Sequence, residues 1–543
     1  MIVSRHDPAR PARLAPELRM PVRIHVPPRV WNRRQVLAAG GALVALWPGL
    51  SSPASAMFRT QTKTDGYPFT LGVASGDPTP DGFVLWTRLA PKPLEGGGMP
   101  DDNVEVRWKV CHDEAMTRVA AEGTAIATPG LAHSVHVEVP GLEPGRWYFY
   151  QFAALGETSP KGRARTAPKP DEMPSRLRMA FASCQHFETG YFTAYEHMHR
   201  EDLDLVAHLG DYIYEYAGKD NLARKHVGPH LDLLVDYRNR HAQYKTDELL
   251  QAAHAMCPWL VTWDDHEFAN NCAGAISEKD NEPPEMYLVR RAHAYQAYYE
   301  HMPLRRAQMP EGPDMLLYRN VRFGRLAEFD VLDTRQYRTD QPCGDGNKEP
   351  CAAVFDPQAT IMGQQQEDWL FKQLEKSPSV WNVLTQQVMM GRVDRKPGEI
   401  RAFSMDQWPG YEANRQRVLK FFAEHKQLNP ITIAGDIHCN WANNLQVNAD
   451  DERSPIVGTE FVGTSITSGG NGAEQRKDTP QVLSENPFVK FFNDERGYVL
   501  CDITPQHWTT HYRTVPFVDK PGAPLFTRAS FLVEAGRPGL IKV

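Results

Sequence analysis

From residue 177 onward, short apolar runs alternate with stretches of helical period, and this alternation constrains the fold more than any other feature. Residues 177–183, 203–209, 259–263, 326–332, 381–385 and 430–434 read as strands, and 190–200, 234–256 and 286–299 as helices. A chain ordered in this way builds a layered α/β domain. Open α/β sheets bind ligands beyond the carboxyl ends of their strands, so the residues after each run carry the functional signal. The first run ends in Ser183-Cys184-Gln185 and the second in Gly210-Asp211-Tyr212-Ile213-Tyr214. The third ends in Asp264-Asp265-His266-Glu267, followed by Asn270-Asn271, and a late one in Gly435-Asp436-Ile437-His438.

Each of these segments has a plain reading by itself. Gly-Asp turns are common at strand ends, a free cysteine is usually a small buried hydrophobe, and acidic residues favour the first turn of a helix. Asp436 alone is a turn residue and His438 alone a core histidine. Four such groups at successive strand ends argue instead for one metal site. Its donors range from soft (Cys184) through borderline (His266, His438) to hard oxygen (Asp211, Asp265, Asp436, Tyr214). Thiolate with phenolate favours a strongly Lewis-acidic iron, whereas a set made mainly of carboxylates favours calcium, magnesium or manganese. A central carboxylate such as Asp211 can bridge two ions about 3.5–4 Å apart, the arrangement used for phosphoester displacement, with His266 near the attacking or leaving oxygen. No Gly-x-Ser-x-Gly elbow, Walker loop or dinucleotide fingerprint follows a strand.

The amino-terminal third reads differently. Asn32-Arg33-Arg34, an apolar run over 36–50 and Ala54-Ser55-Ala56 have the order of a secretory signal, and the paired arginines resemble the twin-arginine export signal. An uncleaved anchor helix is the alternative, and Met20 is a second possible start. Residues 1–56 are therefore expected to be leader, 57–168 a β-sandwich domain and 169–543 the catalytic domain, with no membrane span in the mature chain and an exported, periplasmic or extracellular location. Alternating runs at 83–88, 104–110, 133–139 and 147–152 suggest an immunoglobulin-like or fibronectin-like sandwich. His133 and His136 are expected at the surface. A net charge of -7 gives no basic excess to neutralise phosphates, which argues against a nucleic-acid-binding role. Of 8 cysteines, only Cys343 and Cys351 flank a polar loop suited to a local bridge.

These motifs bring the chain to a known family. Phe181-Ala182-Ser183-Cys184-Gln185, His208-Leu209-Gly210-Asp211-Tyr212-Ile213-Tyr214-Glu215, Thr262-Trp263-Asp264-Asp265-His266-Glu267, Asp406-Gln407-Trp408-Pro409-Gly410-Tyr411 with Arg415, and Gly435-Asp436-Ile437-His438 with Trp441 occur in one order. In this the chain resembles the PhoD-like alkaline phosphatases and phosphodiesterases of the calcineurin-like metallophosphatase group, over nearly all of its mature length. The resemblance implies a sandwich followed by a four-layer α/β/β/α metallophosphatase domain, twin-arginine export machinery as a partner, and a site holding ferric iron, Fe(III), and calcium, Ca(2+). It implies Cys184, Asp211, Tyr214 and His438 as iron ligands, Asp211 as the bridge, and Asp265 and Asp436 facing calcium. The first motif has Ser183-Cys184-Gln185 where the wider group has Asp-x-His, as PhoD-like members do.

The expected function is metal-dependent hydrolysis of small phosphodiesters and phosphomonoesters, with His266 and Asp211 in the catalytic roles. Phospholipase D-like cleavage of lipid head groups is one alternative, and a secreted binding protein with a structural metal is another. Asn270, Asn271 and Arg335 are candidate substrate contacts, Arg335 being equally suited to a structural ion pair. Trp408 and Tyr411 suit a cleft wall or the core, and residues 463–470 suit a site lining or a turn.

Overall fold

The apolar run at 177–183 forms the strand Leu177–Ala182 inside a ten-stranded sheet. The computed structural model describes residues 65–278, 282–396 and 398–543, so the expected leader and twin-arginine signal lie outside the described residues. Leu177–Ala182, Leu205–His208 and Trp259–Val261 run parallel as neighbours, with register Val206 to Ala180 and Val206 to Trp259. To one side the sheet continues antiparallel through Arg496–Ile503, His507–Val515, Phe526–Glu534 and Arg537–Lys542. A second, seven-stranded sheet holds Ala327–Val331, Trp381–Thr385, Pro430–Ala434 and Ile456–Val462 as parallel neighbours. The protein is a mixed α/β structure built on large sheets.

Strand side chains alternate in direction, and each set finds a different partner. Met179, Phe181, Leu205 and Ala207 pack on Phe329, Val383, Ile431 and Phe461 of the second sheet. Ala180, Ala182, Val206 and Val261 turn the other way, onto a helical cluster that includes Tyr195, Tyr237, Leu250 and Tyr298. Leu384 of the second sheet packs on Leu370 and Leu374 of the helix Gln364–Lys376 and on Val418 and Leu419 of the helix Glu412–Glu424. Strands covered on both faces read as continuous apolar runs, which is why the sequence displays them so clearly.

At residue 168 the hydrogen bonding does not stop. Val73–Thr79 pairs in parallel with Trp259–Val261, and Gly82–Arg88 and Ser134–Val139 extend the same ten-stranded sheet. A five-stranded sheet built on Val104–Cys111, Val119–Ala127 and Trp147–Ala154 shares a core with them, through Leu85, Val106, Val137 and Tyr150. The amino-terminal strands thus cover an edge of the central sheet that would otherwise present unpaired backbone. His133 is buried, and His136 stacks on Tyr299 with centroids 4.2 Å apart, so neither is the surface residue expected. The expected helix over 234–256 is two helices, Leu234–Lys245 and Glu248–Met256. Asp247 caps the second by accepting from the Leu249 and Leu250 N–H groups at 3.0 and 3.2 Å. Cys343 and Cys351 form a disulfide.

One buried cation in this core lacks a carboxylate. Lys245 is 1% exposed; its Nζ lies 4.3 Å from the Trp86 ring centroid and 3.4 Å from His254 Nε2, and burial pushes its pKa down to about 7. In the unfolded chain the same group titrates near 10.4. Below pH 7 the ammonium is charged in both states and its burial costs stability. As pH rises toward about 10 the unfolded chain also loses the proton and the cost fades. Lys245→Met is therefore expected to stabilise the protein at pH 7 by on the order of 3 kcal/mol. The gain should shrink at pH 10 in urea denaturation, and a gain equal at both pH values would disprove the account.

Candidate metal centre

The strand Leu205–His208 hands over to Leu209 and Gly210, and Gly210 is required by the backbone. Its φ is +106°, and a Cβ there would lie 2.4 Å from the Asp264 Cβ and backbone N. Gly210→Ala is expected to destabilise by on the order of 3 kcal/mol, combining left-handed strain with overpacking. It should also move Asp211 and lower metal retention; urea denaturation with elemental analysis reads both, and an unchanged midpoint would refute the close-approach argument.

Beyond Gly210, donor residues adopt a backbone shape that side chains rarely take. Cys184 (φ +58°), Asp211 (+54°), Asp436 (+68°) and His438 (+55°) all lie in the left-handed region. Such strain in non-glycine residues persists only where the surroundings over-determine it, and it clusters at functional sites. Glu267 supplies part of that determination. Its carboxylate accepts from the N–H groups of Asp211 (3.0 Å), Tyr212 and Asp264 (2.8 Å), tying the ends of two neighbouring strands together.

The strand ends bring the donors into contact. Ligand atoms of Cys184, Asp211 and His438 lie within 4.8 Å of one another, as do those of Asp211, Asp265 and His266, and those of Asp264, Asp265 and Asp436. Asp211 belongs to the first two groups and Asp265 to the last two, so the clusters form one continuous centre. Tyr214 Oη donates to Asp211 Oδ2 at 2.9 Å, lies 3.4 Å from His438 Nε2, and hydrogen-bonds Ser468 Oγ at 2.6 Å. His266 is held through Nδ1 by Glu215 Oε2 at 2.8 Å, with Nε2 3.5 Å from Tyr216 Oη. Asn270 and Asn271 are half-buried beside it. The Asn271 N–H donates to Asp265 Oδ2 (2.6 Å), and the Asn270 N–H donates to Glu215 Oε1 (3.1 Å).

Of the two readings of Arg335, substrate contact and structural ion pair, its surroundings favour the ion pair. The side chain is 1% exposed and ion-paired with Asp264, Asp265 (3.7 Å), Asp406 (2.8 Å) and Asp436 (3.3 Å). Its guanidinium donors are spent on carboxylates. Arg338 adds a second contact to Asp406 at 2.7 Å, and Gln407 Nε2 donates to Asp436 Oδ2 at 2.8 Å. The 406–411 segment serves this hub, while Trp408 and Tyr411 are themselves core. Asp264, Glu267, Glu215, Asp406, Gln407 and Ser468 had no individual role in the sequence reading. Asp264, Glu215 and Glu267 lie inside the motifs, and Ser468 lies in the 463–470 segment read as a site lining or a turn.

Electrostatically the centre asks for cations. Burial raises Asp211 well above the usual carboxylate range; His266 opposes that, and Asp265, Asp264 and Glu267 add to it. Burial likewise brings Asp436 up to about 6 against the pull of Arg335, and Glu267 up to about 8 against its three N–H donors. Burial and the neighbouring Asp211 push the Cys184 thiol and the Tyr214 phenol far up. They would stay protonated until a Lewis acid ionises them. Burial and Arg496 push His438 down to about 3, which keeps its imidazole neutral and competent to ligate. The residues present therefore fit a pair of ions, the softer donors grouped at one end and the carboxylates at the other.

Comparison with known proteins agrees with this geometry. The sequence profile described as PhoD-like phosphatase matches residues 179–512, and that of the PhoD-like phosphatase N-terminal domain matches residues 52–168. Alkaline phosphatase D of Bacillus subtilis (strain 168) is 50% identical over 521 residues, covering 94% of this chain and 89% of the relative. A solved structure titled "Structure of PhoD" superposes with a TM-score of 0.86 at 53% identity, covering 89% of this chain and 93% of the other. The chain belongs to the PhoD-like phosphatase family and is a phosphoric ester hydrolase.

Proposed function

We propose that the protein is an exported two-metal phosphoesterase that releases phosphate from small phosphodiesters and phosphomonoesters. The observation that carries this is the sharing of Asp211 between a Cys184/His438 cluster and an Asp265/His266 cluster. In this reading Cys184, Asp211, Tyr214 and His438 hold ferric iron, and Asp211, Asp265 and Asp436 face calcium. When bound, the ions supply a hydroxide nucleophile at modest pH and neutralise the substrate oxygens.

The chain's own groups do the rest. Glu215 fixes the His266 ring through Nδ1 (2.8 Å), leaving Nε2 turned toward the site. Burial would depress the imidazolium, but Glu215, Asp265 and Asp211 outweigh it and hold its pKa well above the ordinary value. The proton on Nε2 is thus available to a departing alkoxide. Asn270 and Asn271 are read as substrate contacts beside His266; their side-chain amides donate to Glu278 Oε2 and Asp345 Oδ2, each at 2.7 Å, and would turn from these acids to reach the substrate.

The domain plan is read as a sandwich over 57–168 and a four-layer α/β/β/α catalytic domain over 169–543. Support comes from the shared core of the amino-terminal strands and from helices packed on the outer face of each large sheet. Export through the twin-arginine route is supported by Arg33-Arg34 and by the Cys343–Cys351 disulfide, a bond favoured outside the cytosol. Among the described residues no helix is long and apolar enough to cross a membrane.

Elemental analysis of the mature chain, purified without chelator, tests the site. Iron near one equivalent together with calcium is expected; zinc or manganese in place of iron would overturn the ligand division. Parallel assays on a nucleotide diester, a monoester and a phospholipid separate the main reading from phospholipase D-like activity. Failure to hydrolyse any ester under any metal condition would leave the metal as a structural element of a binding protein.

A further inference from the structure

A second group of metal-ligating side chains lies beside this centre and shares no residue with it. His186 and Glu188 follow Cys184 on the short segment that carries the 3-10 turn Phe187–Thr189, and His226 comes from the loop after Tyr216. Ligand atoms of the three lie within 4.8 Å of one another, and the side chains are 5%, 0% and 3% exposed. Glu188 Oε1 is fully used, accepting from the Lys219 N–H at 2.8 Å and the His226 N–H at 2.9 Å. Glu188 Oε2 and His186 Nδ1 are both buried with no hydrogen-bond partner. Oε2 faces His226 Nδ1 at 3.4 Å, Nδ1 also lies 3.2 Å from the Tyr216 carbonyl oxygen, a contact an ion would replace, and the His186 and His226 ring centroids are 5.2 Å apart.

We propose that His186, Glu188 and His226 form a further metal site for a divalent cation of borderline softness, zinc first. Two imidazoles and one carboxylate form a donor set typical of that ion. Zinc bonds of about 2.0–2.1 Å arranged tetrahedrally place neighbouring donors roughly 3.3 Å apart. The 3.4 Å separation of Glu188 Oε2 from His226 Nδ1 fits that edge. Metal-ligating histidines usually direct the other ring nitrogen to a fixed partner, and His226 Nε2 lies 3.0 Å from Tyr244 Oη. An ion here would satisfy the two orphaned atoms and clip the loop carrying Tyr216 to the segment carrying Cys184. His186 also packs edge-on against Tyr214, centroids 4.4 Å apart, so the clip would brace a wall of the catalytic centre.

The test compares the full chain with its Glu188→Gln and His226→Gln variants after equilibration with zinc and gel filtration. One equivalent of zinc more in the wild type than in either variant is expected, with iron and calcium unchanged, and Asp211→Asn should keep that equivalent. Equal zinc in wild type and variants overturns the proposal. Should the variants fail to fold, anomalous diffraction at the zinc edge on wild-type crystals decides. A peak between His186, Glu188 and His226 supports the site, and zinc confined to the Asp211 centre, or no peak at all, overturns it. Because the readout is an extra equivalent of zinc, it is independent of whether the Asp211 centre holds iron and calcium.

Discussion

Asp211→Asn is expected to lower turnover of a phosphodiester by about 10³-fold or more, equivalent to about 4 kcal/mol of transition-state stabilisation. The amide keeps the size of the carboxylate and can still accept from Tyr214 Oη, so the loop has no steric reason to move. It cannot serve two cations at once, because its nitrogen is a donor and its single oxygen carries no full charge. Metal content should fall together with activity. The metal-free variant should be at least as stable as the metal-free wild type, because Asp211 sits among Asp264, Asp265 and Glu267 and its ionisation is opposed by them. Near-normal turnover with full metal content would remove Asp211 from the bridging role. Lost turnover with full metal content would assign it to proton transfer alone.

That contrast explains why the site was legible in sequence while its support was not. Gly210-Asp211-x-x-Tyr214, Asp265-His266 and Asp436-x-His438 each place donors within one turn of backbone at the end of an apolar run, and local spacing is what a sequence displays. Arg335 had no such display. It follows the strand Ala327–Val331 and meets Asp264, 71 residues earlier, and Asp436, 101 residues later, so its role exists only once two sheets are packed.

The fold shows the same division. Leu205–His208 and Pro430–Ala434 are buried on both faces and read plainly. The carboxy-terminal strands His507–Val515 and Phe526–Glu534 alternate buried with half-buried residues, and their polar members (Thr509, His511, Arg513, Arg528, Ser530) masked them. The last strand, Arg537–Lys542, is exposed or half-buried throughout and pairs with Phe526–Glu534. The break between the helices Leu234–Lys245 and Glu248–Met256 was missed for another reason. Thr246-Asp247 interrupts a run whose apolar period continues on both sides, and the capping of Asp247 outweighs that period.

Arg335→Met should cost the metal-free protein about 3–5 kcal/mol, the range for removing one partner of a buried ion pair. The side chain is the shared counter-charge of Asp264, Asp265, Asp406 and Asp436, of which the first three are buried and Asp436 half-buried. Without it those carboxylates must protonate or repel, because Arg338 reaches only Asp406. Arg335→Lys should recover little. An ammonium is a single point charge, whereas the guanidinium directs Nε, Nη1 and Nη2 to different acids at once. Bound cations would take over part of the neutralisation at Asp265 and Asp436, so the loss measured by urea denaturation should be smaller with metal present than after chelation. A substrate-contact role predicts the opposite pattern: unchanged stability in both states, a raised KM, and substantial rescue by lysine. A stability loss that metal diminishes identifies Arg335 as the group that keeps the acidic half of the centre assembled before its cations arrive.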